Sequence, residues 1–291
     1  MSTIARRLIG TGFNQVPFQI EITLTSVLEF TLPIADSPLN GRPPSFSVSW
    51  GDGTDDIITD STSGDKIHTY ASSGTYIISI SGFMPSFRVD NNPAIRSLIT
   101  DLIAWGDVGL EAISFYGCNN LTSVPGGYTG LGAVRNFNNA FRGTGITSIP
   151  SDLFLYSDLV TQFVDTFSFS RITTVPNGLF DNNPLVTSFN STFNACTLLT
   201  SVPNDLFDNC PNVVNFASTF RNNLSLTNIT NFSNNTIVSV FSNIYNMSST
   251  SNALVGTAPE LWNRVPAPAG FDAFRNCINL TNYASIPTIW K

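Results

Sequence analysis

Three hexapeptides constrain this chain more than any other feature: Ile149-Pro-Ser-Asp-Leu-Phe, Val175-Pro-Asn-Gly-Leu-Phe and Val202-Pro-Asn-Asp-Leu-Phe. Their prolines, Pro150, Pro176 and Pro203, stand 26 and 27 residues apart, and Phe154, Phe180 and Phe207 keep that step. Between them runs a second pattern, Val-x-x-Phe-x-x-x-Phe, as in Val160/Phe163/Phe167 and Val186/Phe189/Phe193. Its last aromatic recurs as Phe115, Phe141, Phe167, Phe193, Phe220, Tyr245 and Phe274, at intervals of 26, 26, 26, 27, 25 and 29. One circuit of this length cannot bury its own apolar face, so neighbouring circuits must stack and their phenylalanines must form columns. The reading is a solenoid of about seven ~26-residue coils, roughly 35 Å long at the spacing of stacked strands.

The spacing within a unit predicts its parts. Leu121 to Pro125 and Leu199 to Pro203 read as short strands ended by proline, which cannot donate to a ladder. Ser-Asp-Leu-Phe and Asn-Asp-Leu-Phe suit one helical turn behind a capping residue. Asp181-Asn-Asn-Pro184 and Asp208-Asn-Cys-Pro211 are turn chemistry, and the many Asn, Ser and Thr side chains suit corners that no regular ladder reaches. Cys118, Cys196 and Cys277 share one position, three residues after the register aromatic. Three coils between neighbours put them roughly 14 Å apart, beyond disulfide reach. With Cys210 they are expected to be buried thiols.

Residues 18–83 have another rhythm. Phe18–Leu24, Ser45–Trp50 and Thr75–Ile80 alternate with period two, which predicts half-buried antiparallel strands in a compact β-sandwich. The remainder, 84–291, is assigned to the solenoid with a C-terminal cap around Trp262 and Trp290, and 1–17, with Arg6, Arg7, Gly10 and Gly12, to an N-terminal arm. Trp50-Gly-Asp-Gly-Thr54 is a glycine-punctuated turn. Asp52, Asp55, Asp56 and Asp60 could offer oxygen ligands to a cation but lack the spacing of a calcium loop. A structural turn, with His68 held by the carboxylate of Asp52, is the expectation.

Composition narrows the function. Charged residues are 11% of the chain and the formal net charge is −7, against the basic face that non-specific nucleic-acid binding needs. A single histidine leaves no multi-histidine metal site. In the solenoid the only glutamates are Glu111 and Glu260, and its aspartates, such as Asp181 and Asp208, fall mostly at corners, a poor basis for the paired carboxylates of glycan hydrolysis. No segment has the ~20 apolar residues of a membrane span. Read as a true start, Met1 to Gln15 lacks the apolar run of an export signal.

Trp-Gly-Asp-Gly-Thr, His68-Thr-Tyr70 and Ser73-Gly-Thr-Tyr76, in that order, resemble the PKD (polycystic kidney disease) type of immunoglobulin-like domain, in shortened form. Phe115-Tyr-Gly-Cys-Asn-Asn-Leu-Thr-Ser-Val-Pro125, Phe193-Asn-Ala-Cys-Thr-Leu-Leu-Thr-Ser-Val-Pro203 and Phe274-Arg-Asn-Cys-Ile-Asn-Leu280 are similar to BspA-like leucine-rich repeats. The combination implies binding without catalysis, as on microbial surfaces and in bacteriophage virions. Without an export signal or anchor, the expectation is a non-enzymatic virion surface protein: a fibre, tail-tip or head-decoration component, located in the virion. The alternative is a bacterial cell-surface adhesin, and a glycan-degrading enzyme ranks third. The expected partners are other virion proteins through the arm and sandwich, a host surface glycan or protein, and further copies of the chain in the particle. No cofactor, metal, nucleic acid, membrane insertion or catalytic residue is expected, and binding residues are left unassigned.

Overall fold

The computed structural model describes residues 16–291. Up to residue 15, the expected N-terminal arm lies outside the described residues. The architecture is mainly β, and the only helices among the described residues are three-residue 3-10 turns. Ten strands carry the first part: β1 Phe18–Leu24, β2 Glu29–Thr31, β3 Ile34–Ala35, β4 Ser45–Ser49, β5 Asp55–Ile58, β6 Ile67–Thr69, β7 Gly74–Phe83, β8 Ser86–Arg88, β9 Ile99–Ala104 and β10 Ala112–Ser114. They form an antiparallel sheet β5-β4-β7-β1-β9, a three-stranded sheet β10-β8-β3 and the pair β2-β6. Strict alternation in β1 buries Phe18, Ile20, Ile22 and Leu24 and leaves the residues between them half-covered, as period two requires.

The boundary expected at 83/84 separates strands that these sheets hold together. β9 pairs with the edge of β1 that β7 leaves open, and β8 pairs antiparallel with β3 and parallel with β10. An uncovered β1 would expose a row of unpaired amides, and β9 removes that edge. The buried apolar residues likewise form one contiguous cluster from Phe18 to Trp290.

Beyond Ser114 the backbone makes isolated bridges instead of extended strands. Asn136, Gln162, Ser188, Asn215, Val240 and Ala269 bridge in parallel, each to the next, at steps of 25 to 29 residues. The residues following each bridge use their backbone groups in alternation. The N–H groups of Phe163, Asp165, Phe167 and Phe169 donate to the carbonyls of Ser188, Asn190, Thr192 and Asn194 at 2.8–3.0 Å. Those of Thr166, Ser168 and Ser170 fold back to carbonyls three residues earlier. Every N–H of this stretch thus has a partner, half of them one segment onward. This geometry needs left-handed residues. The positions two before and two after the register aromatic supply them, as at Asp165 (φ 55°), Phe169 (φ 60°), Ser191 (φ 56°) and Ala195 (φ 57°). The short strand expected before each proline shrinks to a single bridge, as at Thr174 and Ser201. The helical turn expected at Asp-Leu-Phe is a set of hydrogen-bonded turns, such as Leu155 N–H to the Asp152 carbonyl.

Three columns of rings fill the interior. Phe115, Phe141, Phe167, Phe193, Phe220, Tyr245 and Phe274 stack with centroids 5.3–6.3 Å apart. Phe137, Phe163, Phe189, Phe216 and Phe241 form a second column, and Phe154, Phe180, Phe207 and Phe232 a third. The third wedges between the other two, with Phe154 at 4.6 Å from Phe163 and 6.2 Å from Phe167. The first column continues into the sheets through Phe87 and Phe18. At the other end the carbonyls of Ile289 and Trp290 accept from Asp272 and Phe274, and the Trp290 ring fills the space a side chain at Gly270 would need. Phe193 is wholly buried with a ring above and below it. Phe193→Ala is expected to cost about 3–5 kcal/mol in denaturant unfolding, whereas Leu198→Ala, half exposed, should change stability by less than about 0.5 kcal/mol.

Candidate functional site

The chemistry-bearing residues of the first part meet around one tight turn. After β4 the chain must reverse close against β7. Gly51 (φ 84°) passes so near the Ile77 carbonyl that a Cβ would sit 2.6 Å from its oxygen, and Gly53 (φ 94°) completes the bend. Asp52 then faces back: one carboxylate oxygen accepts from the Thr54 N–H (3.0 Å) and hydroxyl (2.6 Å), the other lies 2.8 Å from His68 Nε2. The His68 ring lies flat on Trp50, with centroids 4.6 Å apart, and edge-on to Tyr70. Trp50 Nε1 donates to Asp56, and the buried Tyr70 hydroxyl donates to the Trp50 carbonyl. Trp50, Asp52, Thr54, His68 and Tyr70 therefore lock the turn to β6 and β7.

Each carboxylate of the quartet has its own task. Asp52 holds Thr54 and His68, Asp56 holds Trp50, Asp60 accepts from the Thr62 N–H and hydroxyl, and Asp55 sits in β5. They do not converge. Among the described residues no group of three or more His, Cys, Asp or Glu side chains is placed to hold a metal ion. Burial works to raise the Asp52 carboxyl, but the hydrogen bonds from Thr54 and His68 prevail and bring it down to about 2.

The two glutamates lie at opposite ends of the stacked segments. Glu111 accepts from the Ser37 hydroxyl beside a depression of about 240 Å³ that Arg88 and Arg135 also line. Glu260 holds Asn263 in the 3-10 turn Leu261–Asn263 next to the terminal Trp290. Of the corner aspartates, Asp208 is raised by burial and by the charges of Asp205 and Asp181. The four cysteines are free and buried, and burial pushes each thiol up to about 12. Three serve as donors between segments, Cys196 to the Phe167 carbonyl and Cys277 to the Tyr245 carbonyl at 3.0 Å, and Cys210 to the Asn183 carbonyl at 3.6 Å. Among the described residues no helix is long and apolar enough to cross a membrane.

A scan against protein-family models finds no match, and neither does a search of curated proteins.

Two measurements check this site. The folded-state carboxyl of Asp52 lies below its unfolded value of 3.8, so its contribution to stability is complete above about pH 5 and is lost as the pH falls toward 2. The gap in thermal midpoint between the wild type and Asp52→Asn should therefore close as the pH falls from 4 to 2. Iodoacetamide should label none of the four thiols in native protein and all of them in denaturant.

Proposed function

We propose that the chain is a non-enzymatic surface protein of a bacteriophage virion, a fibre, tail-tip or head-decoration component that serves adhesion or host recognition. In this reading a PKD-like sandwich is followed by a leucine-rich-repeat-like solenoid with a C-terminal cap. The observation that carries it is the unbroken file of ring contacts from Phe18 to Phe274, stacked from Phe115 onward, which supports a stiff body with a side surface that repeats every 26 residues or so. Such a body suits display and multivalent contact. The side chains able to do acid–base or thiol chemistry support the same reading, because His68, Asp52, Cys196 and Cys277 are engaged in holding backbone and turns. The choice of a virion rests on the joint resemblance to PKD-type and BspA-like modules. Docking to other virion proteins is assigned to the N-terminal arm and the sandwich, leaving the stacked segments to face a host glycan or protein.

The test uses particles purified on a density gradient from a lysing culture that expresses the tagged full-length chain. Peptides of the protein should co-migrate with the particles, and deletion of residues 1–17 should abolish incorporation while leaving soluble, folded protein. Full-length protein absent from particles but labelled on intact cells would overturn the virion reading in favour of a cell-surface adhesin. Normal incorporation of the truncated chain would move the anchor to the stacked segments.

A further inference from the structure

Two residues beyond every register aromatic except Tyr245 the backbone is left-handed. There the chain places Gly117, Gly143, Ala195, Asn222 and Asn276, which are small or tolerate that conformation. The exception is Phe169, at φ 60° with 54% of its surface exposed. A bulky residue held in this region is strained, and the ring gains little core burial in return. Its ring lies 5.2 Å from the guanidinium of Arg142, one segment earlier. Arg142 is also 5.8 Å from the ring of Tyr116, and Arg96 stands 4.6 Å from that same ring. Arg96, Tyr116, Arg142 and Phe169 thus form a strip in which guanidinium and aromatic ring alternate from segment to segment.

The strip is pre-organised. Arg96 donates to the carbonyls of Val89 and Asp90, and Arg142 donates to Asp165 at 2.8 Å. The groups a ligand would meet are therefore already fixed, which lowers the entropy lost on binding. The row containing Tyr116 and Arg142 runs through Ser168 and Asn194 to Arg221, and through Asn246 to Arg275. The carboxylates of Asp152, Asp181, Asp205 and Asp208 belong to the arc that packs on the core from the other side through Phe154, Phe180 and Phe207. Arginines thus recur along one edge beside the exposed ring of Phe169 and the half-buried ring of Tyr116, with Arg142 and Arg275 paired to Asp165 and Asp272.

We infer that this edge is a binding site for an acidic glycan, a saccharide chain carrying carboxylates at intervals. Sugar rings lay their C–H faces on aromatic rings, and carboxylate and hydroxyl oxygens accept from guanidinium. Alternating ring and guanidinium fits alternating neutral and acidic sugars. The Asp165 partner leaves the strip too weakly cationic for a polyphosphate backbone, which needs an unbroken basic field. The inference rests on the adhesive reading above but is tested on the isolated protein, so particle incorporation and glycan binding can fail independently.

The experiment is calorimetric titration of the full chain with hyaluronate octasaccharide, octagalacturonate, neutral chito-octaose and oligo-dT. Saturable binding of at least one acidic octasaccharide, tenfold or more tighter than chito-octaose, is expected. Phe169→Asn adopts the residue found at positions 222 and 276, so it should raise the thermal midpoint while weakening that binding at least tenfold. Arg142→Gln should weaken it similarly. Binding of neither acidic octasaccharide, unchanged binding by a folded Phe169→Asn, or preferential binding of oligo-dT would overturn the assignment.

Discussion

Face-to-face packing of aromatic rings is the interaction on which the rest of the structure depends. Each register ring from Phe141 to Tyr245 packs on its counterparts one segment before and after, nearly parallel and with centroids 5.3–6.3 Å apart. Beyond the area it buries, such a pair is worth about 0.5–1.5 kcal/mol, and none can form unless the backbones advance one segment per step in strict register. Holding that register requires left-handed residues at intervals, each costing on the order of 1–2 kcal/mol where the residue is not glycine. Ring stacking together with the cross-segment hydrogen bonds offsets this cost. Asn139, Asp165, Asn243 and Asp272 reduce it further, because their short polar side chains tolerate the conformation.

The same register explains a composition poor in charge and rich in small polar residues. With few extended strands beyond Ser114, many carbonyls need side-chain donors. Thr192 and Thr219 donate across segments to the Phe163 and Phe189 carbonyls. Asn183 and Asn235 donate to the carbonyls of Ser157 and Cys210, the residues one step earlier at the same position. Cys210 reaches the Asn183 carbonyl in its turn. Asparagine and cysteine interchange at this position because both are compact and both donate, a requirement that lysine or glutamate would meet only by burying charge. The exposed threonines repeat the device on the surface, with Thr200 and Thr227 donating one segment back to Thr173 and Thr200.

Function then falls to what the stacking does not consume. The His68–Asp52 pair and the thiols are committed to neighbours within the fold, while Phe169 spends backbone strain on a ring that stays at the surface. Strain without burial is the inverse of the economy seen elsewhere in the chain, where an uncomfortable backbone sits beside a buried ring.

The sequence by itself determined the register of the rings, the period-two strands at Phe18–Leu24 and Ser45–Ser49, and the tight turn at Trp50-Gly-Asp-Gly-Thr54 with Asp52 holding His68. These are legible because each depends on local spacing or on a position that meets the same surroundings in every segment. Tertiary structure alone decided that β9 closes the open edge of β1, that β8 joins β10 in parallel, and that the expected strands and helical turns become single bridges and alternating left-handed corners. The strip from Arg96 to Phe169 belongs with these. Its one trace in the sequence is a phenylalanine where Gly117, Gly143 and Asn222 stand in register, and that trace acquires meaning only once the φ of the position is known. Periodicity records which side chains are buried alike. It carries no record of which edge is free to pair, or of which way a peptide must turn for every N–H to find a partner, because both are settled by chain segments distant in sequence.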